Sequence, residues 1–214
     1  MKGVPLNEEI YNYIVNLFAE EDEILQGVVK SSEENGLPLI HVSPENGKFL
    51  YMLVKIISAK RILEVGTLAG YSTIWMARAL PEDGKLITLE VDQKHAHIAR
   101  ENFKKAGLEQ KIELILGSAA ETLKKLKDER FDFAFIDADK VSYPLYFDLI
   151  LPMMNRGGII AADNTLRKGD VLRTLPQEEG TEGVQIYNKM TASDTRVISL
   201  LVPISDGVTV SLVK

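Results

Sequence analysis

The chain has 214 residues, a formal net charge of −6 and no cysteine, with 45% hydrophobic and 26% charged residues. That length suits one domain with a full core, and this balance of apolar and charged residues excludes a disordered chain. Without cysteine there are no disulfides, thiolate zinc sites, iron–sulfur ligands or cysteine nucleophiles, and an acidic balance argues against a general nucleic-acid binder, which needs a basic field.

Residues 1–24 are acidic and interrupted, unlike an export signal with its basic start and unbroken apolar run. No apolar run approaches the roughly 18–20 residues that span a bilayer, so a cytoplasmic protein without a membrane partner is expected. Residues 1–60 read as a helical cap. Asn7 suits the N-cap of a helix over 8–20, where Ile10, Tyr13, Ile14, Leu17 and Phe18 recur at helical spacing. A charged second helix ends at Asn35-Gly36-Leu37-Pro38. Ser43 as N-cap and Pro44 at the first helical position open a third, whose Phe49, Leu50, Met52, Leu53, Ile56 and Ile57 form one buried face.

From Arg61 the rhythm changes, and residues 61–214 read as a core of alternating strands and helices. Apolar runs at 61–66, 86–91, 112–117, 131–137 and 158–163 predict strands, and stretches at 71–80, 93–106, 119–126 and 143–154 predict helices. Asp92 suits a cap, and Ser118 with Glu121 has capping-box spacing. Strands apolar on both faces and joined by helices imply a parallel sheet covered on both sides. The runs 196–202 and 208–213 flank an Asp206-Gly207 turn and predict a terminal hairpin. The fold class is α/β, with five parallel strands and an antiparallel end.

Ligands of such sheets bind beyond the carboxyl ends of the strands. The first strand runs out through Glu64-Val65-Gly66-Thr67-Leu68-Ala69-Gly70-Tyr71-Ser72. Its glycines permit close backbone approach, but a carboxylate at that position disfavours a diphosphate and favours a cationic or zwitterionic ligand. The second ends at Glu90, placed to accept hydrogen bonds from two ribose hydroxyls. The third ends in Gly117-Ser118-Ala119-Ala120, small residues against which a flat adenine could lie. The fourth and fifth end in Asp137-Ala138-Asp139-Lys140 and Asp163-Asn164. As neighbours, their tips converge, and Asp137, Asp163 and Asn164 offer hard oxygen ligands for Mg²⁺, Mn²⁺ or Ca²⁺. Lys140 reads either as a surface ion pair or as a general base beside that cation. His95 and His97, two apart on a helix, read as surface residues. His41 is read as a loop residue beside the cofactor side, and Trp75 and Met76 as core.

Leu63-Glu64-Val65-Gly66-Thr67, Gly70-Tyr71-Ser72-Thr73, Leu80-Pro81-Glu82-Asp83-Gly84-Lys85, Asp137-Ala138-Asp139-Lys140, Asp163-Asn164-Thr165-Leu166 and Pro203-Ile204-Ser205-Asp206-Gly207 occur in one order. The chain resembles in this the cation-dependent, S-adenosylmethionine-dependent O-methyltransferases of the caffeoyl-CoA type, more distantly related to catechol O-methyltransferase. The resemblance implies a Rossmann-like fold with a mostly parallel seven-stranded sheet and extra N-terminal helices. It implies that Glu64, Gly66, Thr67, Ser72 and the backbone at Val42 contact the methionine end of S-adenosylmethionine. Glu90 would take the ribose, Ala119 would border adenine, and Asp137 and Asp139 would lie on the cofactor side. Asp137, Asp163 and Asn164 match the metal ligands, with Mg²⁺ the first choice, and Lys140 the base. A homodimer is implied, with S-adenosylhomocysteine as product and a phenolic or catechol acceptor.

The chain departs from the plant pattern after Asp163-Asn164-Thr165-Leu166, where Arg167-Lys168-Gly169 replaces Trp-Asn-Gly. Arg167 and Lys168 would suit an acidic acceptor, and the acidic stretch with Gln177-Glu178-Glu179-Gly180 would form part of a lid. A tRNA hydroxyuridine methyltransferase and a non-catalytic cofactor-binding protein are the alternatives.

Overall fold

The computed structural model describes residues 6–214. Residues 1–5, part of the stretch read for an export signal, lie outside the described residues. Three helices precede the sheet: α1 (Glu8–Phe18), α2 (Glu23–Glu34) and α3 (Pro44–Ile56). Asn7 caps α1 through Ile10 N and Asp22 caps α2 through Leu25 N, each supplying an acceptor to an otherwise unpaired helix N–H. Pro44 opens α3 as expected, but the Ser43 hydroxyl donates to Glu45 Oε1 at 2.6 Å instead of capping the helix.

The apolar faces of this cap differ from expectation. No residue of α1 is buried, and Tyr13, Leu17 and Phe18 are exposed. On α3 the buried face is Asn46, Gly47, Leu50, Leu53 and Val54, whereas Met52 and Ile56 face solvent. Helical spacing identifies a stripe but does not say what covers it.

The core alternates β1 (Arg61–Val65), α4 (Tyr71–Ala79), β2 (Lys85–Glu90), α5 (Gln93–Lys105), β3 (Ile112–Leu116), α6 (Ala119–Lys125), β4 (Phe131–Ile136), α7 (Tyr143–Ile150), β5 (Met154–Ala162), α8 (Thr181–Ser193), β6 (Val197–Val202) and β7 (Val208–Val213). Short 3₁₀ turns lie at Lys140–Ser142, Leu151–Met153 and Arg167–Leu172. One seven-stranded sheet has the order β3-β2-β1-β4-β5-β7-β6. The first five strands are parallel, and β7 runs antiparallel to both β5 and β6. One face packs Ile62, Leu86, Phe133 and Phe135 against α3–α5; the other packs Leu63, Val65, Ile136 and Ile160 under α6–α8, which contribute Phe147 and Tyr187.

Several predicted ends shift. The α7 helix stops at Ile150, and β5 starts at Met154, before the glycine pair at 157–158. Ser118 makes no side-chain cap, and Glu121 pairs with Lys124 at 2.8 Å. β3 is half exposed, because it is an edge strand. The helix α8 was not expected: its buried residues include Thr181, Gly183 and Thr191, which carry no apolar signal. Gly183 is required there because a Cβ would strike the backbone of Lys140 and Val141. No helix among the described residues is long and apolar enough to cross a membrane.

Candidate active site

Strand order reverses at β1, which sends the chain to β2 on one side and pairs with β4 on the other. A crevice opens there, outside the carboxyl ends. It begins with Gly66, whose φ of +99° suits glycine and whose Cβ would collide with the carbonyl of Asp137. The ladder continues one residue past the strands, with Asp137 N donating to Val65 O at 2.8 Å and Asp163 N to Ile136 O at 3.1 Å. The tips of β1, β4 and β5 are thereby locked together.

Two cavities of about 450 and 330 Å³ share Ile40, Gly66, Leu68, Asp137, Ala138 and Asp139, and so form one groove. The larger end is walled by Val42, Thr67, Ser72, Lys140, Asn164 and Arg167, the other by Glu90, Gly117, Ser118 and Ala119. The groove therefore gathers small residues and Glu90 at one end and charged groups at the other. His95 belongs to it too, with Nδ1 3.7 Å from Glu90 Oε1. That corrects its reading as a surface residue; His97 is exposed. Helical spacing separates the two histidines but does not say which one faces the sheet edge. His41 also lines the groove, its ring 4.9 Å from that of Tyr71, and burial lowers its pKa. Tyr146, which carried no motif, donates to Asp139 Oδ2 at 2.5 Å.

Glu64, expected at the methionine end of the cofactor, is not among the residues that line the groove. It is fully buried on the central strand and stands behind the groove wall. Ser72 Oγ donates to Oε1 at 2.6 Å, while Thr73 Oγ1 and Thr88 Oγ1 donate to Oε2 at 2.5 and 2.7 Å. The Thr88 proton is thus committed, which makes Thr67 the donor in the 2.6 Å contact between their hydroxyls. Hydrogen bonds to a charged group contribute about 1.5–3 kcal/mol each, but burying a carboxylate costs several kcal/mol. Burial wins and raises the Glu64 pKa to about 7, opposed by the three hydroxyls and assisted by Asp137. Glu64 acts on the groove through Ser72, which does line it.

A pH dependence follows. The folded carboxyl holds its proton above the ordinary value of 4.5, so its contribution to stability is complete below that value and is lost as pH rises through about 7. Glu64→Gln is expected to remove this decline. In urea unfolding the variant should gain on the wild type between about pH 5 and pH 8; parallel profiles would refute the assignment.

Glu90 is also more occupied than expected. Oε2 accepts from the backbone of Thr67 and Leu68 at 3.2 and 2.8 Å, and Oε1 from Val91 and Asp92, both at 2.9 Å. A carboxylate has about four acceptor sites, so a ribose would share oxygens that already tie the β1 loop to the β2 tip.

At the charged end, Lys140 Nζ lies 2.7 Å from both Asp137 Oδ1 and Tyr143 Oη. The buried Tyr143 hydroxyl lies 3.1 Å from the carbonyls of Ile136 and Asp163, to which it donates. Asp163 is 3% exposed and sits behind the groove wall, where Asn46 Nδ2 donates to its Oδ1 at 3.0 Å. Burial first, then the charge of Asp137, raises the Asp163 pKa to about 7. Among the described residues no group of three or more His, Cys, Asp or Glu side chains could hold a metal; the expected set has two carboxylates plus the Asn164 amide. A buried Asp163 carboxyl whose ionisation the neighbouring Asp137 charge disfavours suits a bound cation, which would offset that repulsion, so the donor chemistry fits a hard divalent ion.

Arg167 reaches the groove, but its guanidinium already pairs with Glu178 at 3.1 Å and donates to the Glu179 carbonyl at 3.0 Å. Lys168 does not line the groove. It sits in a left-handed turn, φ +51°, with its backbone N–H held by Asp206 at 2.6 Å and its side chain exposed. The acidic stretch expected as a lid is anchored by Asp170, whose carboxylate accepts from Gln177 N and Glu178 N at 3.0 Å.

The O-methyltransferase family matches residues 16–214. A catechol O-methyltransferase of Niastella koreensis is 43% identical over 97% of both chains. A caffeoyl-CoA O-methyltransferase of Populus kitakamiensis is 37% identical over 97% of this chain and 94% of its own. The crystal structure of an O-methyltransferase from Bacillus cereus in complex with S-adenosylhomocysteine superposes with a TM-score of 0.92, at 36% identity, over 96% of this chain and 97% of its own. With a switch-point groove of this composition and matches spanning nearly the whole chain, the protein belongs to the S-adenosylmethionine-dependent O-methyltransferases of the catechol and caffeoyl-CoA type.

Proposed function

We propose that the protein is a divalent-metal-dependent O-methyltransferase that transfers the methyl of S-adenosylmethionine to one hydroxyl of a catechol-like small molecule. The observation that carries this reading is the Asp137–Lys140 pair, 2.7 Å apart, on the same groove wall as Gly66, Thr67, Ser72 and Asn164. Names of relatives for catechol and caffeoyl-CoA support the acceptor class. Asp137, Asp163 and Asn164 would hold the cation, Mg²⁺ by preference with Mn²⁺ or Ca²⁺ as substitutes. Such an ion supplies Lewis acidity, lowering the pKa of an acceptor hydroxyl and fixing its orientation. Lys140 takes the hydroxyl proton. The oxyanion then forms a bond to the methyl carbon as the carbon–sulfur bond breaks, and the electron pair stays on sulfur to give S-adenosylhomocysteine. Gly66, Thr67 and Ser72 hold the donor for in-line attack; such alignment is worth up to about 7–11 kcal/mol. Arg167, already paired with Glu178, bounds the acceptor end and does not supply a free cation.

The exposed apolar residues of the cap support a homodimer. Tyr11, Ile14 and Phe18 of α1, Met52 of α3 and Ile204 border one apolar depression of about 520 Å³, which a second copy of the chain would cover.

The test is methyl transfer to catechols, hydroxycinnamate esters and bulk tRNA, each with Mg²⁺ and with chelator. Turnover of a catechol that chelator abolishes is expected. Chelator-resistant turnover would remove the metal, and methylation of tRNA alone would replace the acceptor.

A further inference from the structure

Asn46 is wholly buried in the first turn of α3, and asparagine is a poor choice for a buried helix position. Its amide is only half satisfied. Nδ2 donates to Asp163 Oδ1 at 3.0 Å, across 117 residues of chain, while its own Oδ1 is buried with no partner. An unpaired buried carbonyl is unfavourable, and an apolar side chain of that size would avoid the penalty. Packing therefore does not account for the amide, whereas its bond to Asp163 does.

We propose that Asn46 is a positioning residue for the divalent cation, holding the Asp163 carboxylate in its ligating orientation from the N-terminal cap. This inference rests on the metal-dependent reading above. A carboxylate free to turn loses orientation on every release of a ligand, and a hydrogen bond from behind prevents this. The donor is neutral, so it orients the carboxylate and leaves its negative charge available. A lysine or arginine in its place would orient and also neutralise, competing with the ion. The segment entering α3 carries His41 and Val42, which line the groove. The chain entering α3 thus lines the groove, and the first turn of that helix reaches Asp163 from behind.

The test is Mn²⁺ binding, followed by electron paramagnetic resonance, alongside calorimetric titration of S-adenosylhomocysteine. The proteins compared are wild type, Asn46→Leu, which keeps the volume without the donor, and Asn46→Gln, which keeps the donor on a longer arm. Asn46→Leu should weaken Mn²⁺ binding by roughly 10–100-fold and leave product affinity within about twofold, as for separated sites. Asn46→Gln should recover part of the loss. If wild type and Asn46→Leu bind Mn²⁺ equally, the inference is overturned and the metal-dependent reading stands. If the wild type binds none, both fall. Should Asn46→Leu not fold, Asn46→Ala, which removes the donor with a residue that suits a helix, decides: unchanged Mn²⁺ affinity in it would mean a purely structural role and overturn the inference.

Discussion

Asp163→Ala is expected to lower catechol methylation by more than about 100-fold, the scale of losing one preorganised electrostatic element from a reaction centre. Binding of S-adenosylhomocysteine should change by no more than about twofold. The two readouts separate because Asp163 lies behind the groove wall, held by Asn46 at 3.0 Å, while Gly66, Thr67 and Ser72, proposed above to hold the donor, belong to the β1 loop and the start of α4. Its buried carboxyl, raised to about 7 beside Asp137, is an unfavourable arrangement for the fold alone. Such arrangements persist where function needs them. Steady-state kinetics with and without Mg²⁺, with calorimetry, would decide. An Asp163→Ala enzyme that works normally in chelator would end the metal reading.

Lys140→Met is the second large effect. Loss of a positioned base lowers kcat by about 10²–10⁴-fold, while the KM for S-adenosylmethionine should hold. Lys140→Arg should not rescue the rate, since a guanidinium stays protonated and cannot accept the acceptor's proton. The contacts argue for this side chain as more than a surface ion pair: it is 12% exposed and held between Asp137 and the Tyr143 hydroxyl. Tyr143 in turn donates to the carbonyls of Ile136 and Asp163, so the Lys140 amine is fixed to the tips of both β4 and β5. A rate loss below about tenfold would demote Lys140 from base to an electrostatic neighbour.

Much of this was legible in advance, and the exceptions have identifiable causes. The parallel strands could be read because their apolar runs are continuous and bounded by turn residues, as at Phe131–Ile136. The terminal hairpin followed from Asp206-Gly207. α8 escaped because three of its five buried residues, Thr181, Gly183 and Thr191, carry no apolar signal, Gly183 being there to pass the Lys140–Val141 backbone. The cap helices showed the right spacing, yet several of their apolar residues face outward.

Local order along the chain determined the strand and helix succession, the acidic and small residues at the strand tips, and the family pattern. These depend on neighbours within one or two turns. Tertiary structure alone decided which of those residues reach the groove. It set Glu64 behind Ser72, turned His95 inward, left Lys168 outside, paired Arg167 with Glu178 and placed Asn46 against Asp163. Each outcome turns on burial and on hydrogen-bond partners distant in sequence, and these exist only once the sheet has closed around them.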